Sequence, residues 1–578
     1  MNVLVISGGS GNDALIKGLV RVYPDVKIKV LLNAYDNGKS TGICRYVTNT
    51  LGVSDIRKNH IRMYKERIPQ SAWNQGIIDF YSKRFDLTPG KELEEVIEHL
   101  LEWGLDDLCV YAVRFFARPK ASVEHYVDFS ISNIIYSEMY AELGYEDTND
   151  YFAEEILGID NFIVFNSYDQ VFIDAATKNG MILNGEETIV DYNNEEDPIE
   201  KIIYNSDRDS TLSPTITLNA KKAIDWAELI VISSGTFWAS IYPTLEYADL
   251  YKLINASRAR KVWVMNNEPD KDCLGVSDTQ LVQHFENLGL DLSEFTILYN
   301  YDGNRLLNTP LATFKYNYVC ESMGNNEGKH NPILLARAVY KIYYNLTGGY
   351  DNIFFDFDDT IWPRNDIFDY VGRDNIRLLS KFEKDVVIVS GNTMESVRKH
   401  IEESIGDLDS FFADVWADAN TTKMYRGKIV KTLDELTLPK GVEDIIKELE
   451  KYNVKPVAMR AGSQNITCIK IKPLDKRERV ILLDLLNKYL IPLYCKDMNV
   501  VARSTGTTTI DIMNQNNDKL VVFHEYSKGL EGYGNFLYIG DEVDSGNDIN
   551  IALACNNSIH VKDVKETNLI LRLLTSNL

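Results

Sequence analysis

Cysteine is sparse and unpaired in this chain. Seven cysteines (Cys44, Cys109, Cys273, Cys320, Cys468, Cys495 and Cys555) are scattered through 578 residues with no Cys-x-x-Cys spacing. That scatter argues against a disulfide framework and a structural zinc site, and suits free thiols in a reducing compartment. No apolar run approaches the length of a membrane span. The first apolar stretch, Val3 to Ile6, has no basic lead and meets glycines at once, too short for a signal peptide. Positive charge is in deficit: 61 Lys and Arg against 85 Asp and Glu give a formal net charge of -24. Such a chain repels a polyanion, so a nucleic acid polymer is not an expected partner, and neither is a membrane. Internal repeats and low-complexity segments are also missing. The expectation is a cytoplasmic protein; its oligomeric state is not legible.

What is present is an ordinary globular balance, 45% hydrophobic and 25% charged, in a chain longer than one core normally fills. Two sets of short β-branched runs share one grammar, each ending in small or polar residues. NVLVIS runs into GGSGN, VKIKVLLNA into YDNGKS, ELIVIS into SGTFW and KVWVM into NNEPD. From residue 352, IFF runs into Asp356, VVIV into Ser390 and FLYI into Gly540 and Asp541. These read as strands of parallel sheets buried on both faces, with ligands expected beyond their carboxyl ends. The predicted fold class is α/β, with two Rossmann-like parallel-sheet domains, over 1–347 and 351–578. The turn-rich LTGGYDN separates them. A stretch at about 432–505 lacks polar-tipped strands and reads as an inserted α+β cap on the second domain.

Phosphoryl transfer needs an in-line nucleophile, a proton donor for the leaving oxygen, and positive charge on the phosphoryl oxygens. Asp356-Phe-Asp358-Asp-Thr360 supplies the first two, with Asp356 ending a strand and Asp358 where the chain turns out of it. Nearby carboxylates also offer the hard oxygen ligands that Mg²⁺ takes. The four motifs DFDDT, Ser390 after VVIV, a lysine, and GDEVDSGND at 540–548 resemble, in that order, the haloacid dehalogenase superfamily of phosphatases and phosphomutases. The resemblance implies catalytic roles for Asp356, Asp358, Ser390 and Lys519, and phosphate contacts from Thr360, Gly391 and Asn392. It implies metal ligation by Asp356, Asp358, Asp541 and Asp548. Lys528 is the other candidate lysine, but it leaves little chain before Gly540 for a helix, a turn and a strand. Lys519 leaves a full helix. The segment MRAGSQNITCIKIK is similar to a phosphomannomutase cap, which implies substrate contacts from Arg460 and Asn465. That family's next arginine falls at Ile471, between Lys470 and Lys472. Lysine is no bidentate phosphate clamp. A phosphatase acting on a phosphorylated sugar or polyol therefore fits better than the alternative, a hexose phosphomutase.

In the first half, Gly8, Gly9, Ser10, Gly11 and Asn12 follow the first strand and open a helix. Glycines let backbone N–H groups approach a phosphate, and a helix start adds positive potential. Asn37 to Thr41 imitates the end of a P-loop, but position 33 is Asn where that motif needs Gly, so an ATPase is rejected. Over most of residues 1–345 the chain resembles the 2-phospho-L-lactate transferase (CofD-like) and gluconeogenesis-factor superfamily. The pieces that carry the likeness are GGSGN, YDNGKSTG, GVSDIRKN, FSISN, SSGTFWASIYPTL and MNNEPD. The resemblance implies nucleotide or phosphate binding by the glycine loop with Asp36, Ser40, Asp55, Arg57, Asn59, Asn133, Gly235, Thr236 and Asn266. The implied ligand is a nucleotide-diphosphate-linked donor or a nucleotide sugar.

The sequence therefore points to a bifunctional enzyme. A CofD-like domain binds a nucleotide-activated small molecule, with transfer of its phosphoryl-linked group a further expectation, and is fused to a Mg²⁺-dependent phosphatase working through an aspartyl-phosphate. A further alternative makes the first domain a nucleotide-sugar sensor that gates the phosphatase.

Overall fold

The computed structural model describes all residues except 124, 207–213, 301–315, 326–327, 384, 462–464, 497–498, 506–508, 529, 531–533, 544–547 and 576–578. At Val123, Asp366, Glu435, Met459, Arg460, Ala461, Asn465 and Thr505 only the backbone is described. The chain divides into two compact units, Met1–Tyr343 and Tyr344–Leu578.

The first unit is built on a seven-stranded sheet whose order, edge to edge, is Asn317–Glu321, Phe295–Asn300, Arg260–Val264, Leu229–Ile232, Asn2–Ile6, Lys27–Leu32 and Ile163–Phe165. Every pairing is parallel. Val3 through Ile6 and Leu229 through Ile232 are wholly buried, which is why their sequences read as unbroken apolar runs instead of alternating ones. The chain winds outward in one direction from Asn2–Ile6 and later in the other from Leu229–Ile232. The strand order thus reverses between these two neighbours, and a crevice opens beyond their carboxyl ends. A smaller antiparallel sheet (Ile182–Leu183, Phe172–Thr177 and Ile199–Asn205) stands outside the main one.

The second unit carries another seven-stranded sheet, ordered Lys428–Thr432, Thr422–Tyr425, Asp414–Ala417, Val386–Val389, Asn352–Asp356, Phe536–Gly540 and Asn557–His560. The five strands from Asp414–Ala417 onward are parallel, and the first two form an antiparallel edge. Both sheets are Rossmann-like, as their patterning indicates. The insert is a four-stranded antiparallel sheet ordered Val457–Ala461, Asn465–Ile471, Thr509–Asn514 and Val500–Thr505. Ile469, Ile471, Ile510 and Ile512 on one sheet face pack with Ile445 and Leu449 of the helix Val442–Lys451. The insert runs past its expected end at 505. Lys428–Thr432 closes the main sheet, and Thr509–Asn514 completes the insert, because Ile510 and Ile512 are needed to finish its apolar core.

Candidate active sites

In the second unit, the carboxyl ends of three adjacent strands bring Asp356, Ser390 and Asp541 together. Lys519 opens the helix Lys519–Ser527, capped by Asp518, whose carboxylate accepts the Leu520 N–H at 3.0 Å. Its ammonium donates to Asp356 Oδ1 and Asp548 Oδ1, each at 2.5 Å, and Lys519, Asp356 and Asp548 are all buried. Burial works against the charged amine, but Asp356 and Asp548 outweigh it and hold the Lys519 pKa above its usual value. Burial, together with Asp548, Asp358 and Asp541, pushes the Asp356 carboxyl upward, with Lys519 opposing. Lys528 is exposed and pairs with Glu525, away from this cluster.

Asp356, Asp541 and Asp548 present carboxylate oxygens that all lie within 4.8 Å of one another. Asp548 Oδ2 is buried and has no hydrogen-bond partner among the described residues. An all-oxygen donor set with one orphaned buried lone-pair site fits a hard divalent cation such as Mg²⁺. Asp358 departs from expectation. Both of its carboxylate oxygens accept from Asn392 Nδ2, at 2.7 and 2.9 Å, and lie outside the three-carboxylate group. The amide holds this carboxyl facing Ser390–Asn392, which suits proton transfer better than metal ligation. Its pKa is raised by burial, with Arg364 and Lys470 pulling the other way.

Ser390 Oγ accepts the Asn392 N–H at 3.0 Å, and Thr360 Oγ1 lies 3.4 Å from Asp541 Oδ1. Gly391 leaves open room beside them: a Cβ built on it would meet only Lys470 Nζ, at 3.8 Å. The side chains of Arg460 and Asn465 lie outside the described residues. Lys470 and Arg364 were not singled out by sequence reasoning as site residues.

In the first unit the glycine loop and the Ser233–Thr236 loop meet at the strand-order reversal. A Cβ on Gly11 would lie 2.1 Å from the Ser234 carbonyl oxygen and 2.5 Å from Gly235 Cα, so only glycine fits. A Cβ on Gly9 would fall 2.0 Å from Asp55 Oδ1, and one on Gly8 2.6 Å from Ser240 Oγ. Asn266 Oδ1 accepts from Gly235 N at 2.9 Å while its Nδ2 donates to Gly235 O at 3.1 Å, locking the second loop. Thr236 Oγ1 and Ser240 Oγ are 2.9 Å apart.

The helix Ser54–Arg67 supplies one working face. Asp55, Lys58, Asn59 and Arg62 recur at helical spacing along it. Asn12 Nδ2 donates to Asn59 Oδ1 at 2.8 Å, and Arg62 donates to Gly9 O at 2.8 Å and to Asp13 at 2.8 Å. Lys58 pairs with Asp55 at 3.2 Å. Arg57 points elsewhere, donating to the Tyr81 carbonyl; burial pulls its pKa down to about 10. Position 57 falls off the helix face that position 55 defines, and the arginine that bonds the glycine loop is Arg62, at Gly9 O and Asn12 Oδ1.

Ser40 and Asn133 do come together, with Asn133 Nδ2 donating to Ser40 Oγ at 2.9 Å, but Asn133 is fully buried and ties two helices. Asp36 caps its own turn by accepting from Gly38 N at 3.0 Å. Its pKa is raised by burial and then by Asp55. Glu186, unnoticed in the sequence, approaches from the outer small-sheet region; burial first, then Asp36 and Asp55, push its carboxyl up to about 8.

Residues 3–288 match the family model described as 2-phospho-L-lactate transferase CofD. The first unit carries a CofD-family domain. Among similar proteins, the gluconeogenesis factor of Listeria monocytogenes is 24% identical over 268 residues, 46% of this chain and 66% of that protein. The putative gluconeogenesis factor of Aquifex aeolicus is 22% identical over 268 residues, 46% of this chain and 67% of that protein. The chain thus spans about two thirds of these relatives' length. A solved UPF0052-family protein from Bacillus halodurans is similar at TM-score 0.42 and 17% identity, covering 59% of this chain and 98% of that one. The Plasmodium falciparum IMP-nucleotidase is similar at TM-score 0.29 and 14% identity, covering 42% of this chain and 73% of that one. The CofD-family domain contains none of the three-carboxylate cluster, which belongs to the second unit.

Proposed function

We propose that the second unit is a Mg²⁺-dependent phosphatase acting on a phosphorylated sugar or polyol. The observation that carries this is Lys519 bridging Asp356 and Asp548, with Asp541 beside them, at the carboxyl ends of a parallel sheet. Asp356, Asp541 and Asp548 would hold the cation, which supplies charge neutralisation for the phosphoryl oxygens. Asp356 attacks phosphorus, the ester P–O bond breaks, and the leaving alkoxide takes the proton that Asp358 carries. Asp358 then removes a proton from water, whose oxygen attacks the aspartyl-phosphate and releases Asp356 and inorganic phosphate. Ser390 and Lys519 hold the phosphoryl oxygens, and the open space at Gly391 leaves its backbone available to them. Release of phosphate from a panel of sugar and polyol phosphates, with and without Mg²⁺, tests the reading. Release independent of the cation, or none from any compound, counts against it.

For the CofD-family domain we propose binding of a nucleotide-diphosphate-linked small molecule at the meeting of the two glycine-bearing loops. The steric demand for glycine at positions 9 and 11 supports this. Calorimetry with nucleoside diphosphates and nucleotide sugars tests it, and silence toward both classes would refute it. Transfer of the phosphoryl-linked group is a further step, read by product formation with an acceptor alcohol. A cytoplasmic location accords with seven free cysteines and the absence, among the described residues, of a helix long and apolar enough to cross a membrane.

A further inference from the structure

Lys470 lies in the inserted cap, yet its ammonium faces the phosphoryl loop of the main sheet. Strand alternation fixes its direction. Ile469 and Ile471 enter the cap's own apolar core, so Cys468 and Lys470 take the opposite face. On that face Cys468 packs with Met513 and with Ala419, which follows the main-sheet strand Asp414–Ala417. Two neighbouring bonds clamp the same strand down: Thr467 Oγ1 donates to the Asp418 carbonyl at 3.2 Å, and Leu438 N donates to Ile466 O at 2.6 Å. Asp418 N in turn donates to Asn392 O at 2.7 Å, and Asp418 Oδ1 accepts from Met394 N at 2.9 Å. A short chain of contacts therefore runs from the cap strand through Asp418 to the Ser390–Asn392 loop.

At the end of that chain, Lys470 Nζ stands 3.8 Å from where a Gly391 Cβ would be, with Asp358 close enough to feel its charge. Lys470 is half-buried and makes no ion pair among the described residues. A lysine with Asp511 opposite it on the next strand but no close ion pair among the described residues, over a loop that leaves room for an anion, is placed to meet one. Lys519 lies on the other side of the site, beside Asp356 and Asp548, so the two ammonium groups would meet different sides of a bound phosphoryl group.

We propose that Lys470 is a cap-borne ligand of the transferring phosphoryl group, so that the cap completes the phosphate site as well as covering it. The inference rests on the phosphatase reading above. The charge acts where negative charge is shared between the non-bridging oxygens and the leaving oxygen, so its contribution is the same whichever alcohol departs.

The test uses the full chain with Mg²⁺. It compares wild type, Lys470→Ala, Lys470→Arg and the exposed control Lys472→Ala on p-nitrophenyl phosphate and on the best sugar phosphate found, with orthovanadate as phosphoryl mimic. Thermal melts confirm that each variant folds. Lys470→Ala is expected to lose roughly 10²-fold in kcat/KM on both substrates and to bind vanadate at least about tenfold more weakly. Lys470→Arg should recover part of both, and Lys472→Ala neither lose nor gain. A loss confined to the sugar phosphate, with vanadate inhibition intact, would overturn the proposal by making Lys470 a reader of the leaving group. Unchanged kinetics on both substrates would also overturn it. A wild type inert toward every phosphomonoester and indifferent to vanadate sinks the phosphatase reading itself, a result distinct from either.

Discussion

Lys519 Nζ and Asp548 Oδ1 lie 2.5 Å apart, with both side chains excluded from water. The same ammonium is 2.5 Å from Asp356. A buried charge shared in this way is costly to break, since removing one partner leaves the others desolvated and uncompensated.

Lys519→Met should therefore lower the unfolding free energy of the second unit by about 3–5 kcal/mol. Denaturant titration reads this directly. A change below about 1 kcal/mol would mean the cluster is already relieved by water, protonation or a cation.

Metal linkage gives a second expectation. Mg²⁺ at about 100 times its dissociation constant stabilises a protein by about 2.7 kcal/mol. Wild type should show a concentration-dependent rise in melting temperature, and Asp548→Asn should show little or none. Asp548 is chosen because its Oδ2 has no protein partner among the described residues.

The loops of the CofD-family domain predict a steric contrast. Gly11→Ala drives a methyl into Ser234 and Gly235, whereas a Cβ on Gly235 would be 3.7 Å from its nearest neighbour. Gly11→Ala should be destabilising by about 1–3 kcal/mol and weaken nucleotide binding, while Gly235→Ala melts near wild type. Equal melting temperatures for the two variants would contradict the close approach of the loops.

A pH dependence follows from Asp272, whose carboxylate accepts the Trp238 N–H at 2.9 Å. Burial, then Asp270, raise its pKa to about 7 from an ordinary 3.8. Between those values the folded state binds the proton that the unfolded state has lost. Stability from this group is therefore full below about pH 4, falls as pH rises, and levels off above about pH 7, a span of up to about 4 kcal/mol. Asp272→Asn keeps an acceptor for Trp238 and removes the titration. It should melt higher than wild type at pH 8 and close to it at pH 4; the same gap at both values would refute the assignment.

The legible parts of the molecule were those where one local rule acts alone. Buried parallel strands announce themselves as unbroken apolar runs, and Asp356, Ser390 and Asp541 sit at strand ends where such sheets place ligands. Arg57 stands inside a familiar motif but bonds the Tyr81 carbonyl, while the helical period running from Asp55 through Lys58 and Asn59 places Arg62 against the glycine loop. That signal was available in the sequence. Lys470 was harder: strand alternation gives its face, but only the docking of Thr467 on Asp418 shows that the face looks into the site. Glu186 lay further from reach, since nothing local ties the outer small-sheet region to Asp36. The far end of the insert was missed for a similar reason, because Thr509–Asn514 reads as a strand without revealing which sheet it joins.

The central claim is that Asp356 is the nucleophile, and trapping the phosphoenzyme tests it most directly. Wild type, Asp356→Asn and Asp358→Asn would each be quenched in acid during turnover with a labelled phosphoryl donor and Mg²⁺. The account predicts acid-stable, hydroxylamine-labile label on wild type and none on Asp356→Asn, with both the appearance and the loss of label slowed on Asp358→Asn. Label on Asp356→Asn equal to wild type, or phosphate release by that variant at the wild-type rate, would contradict it.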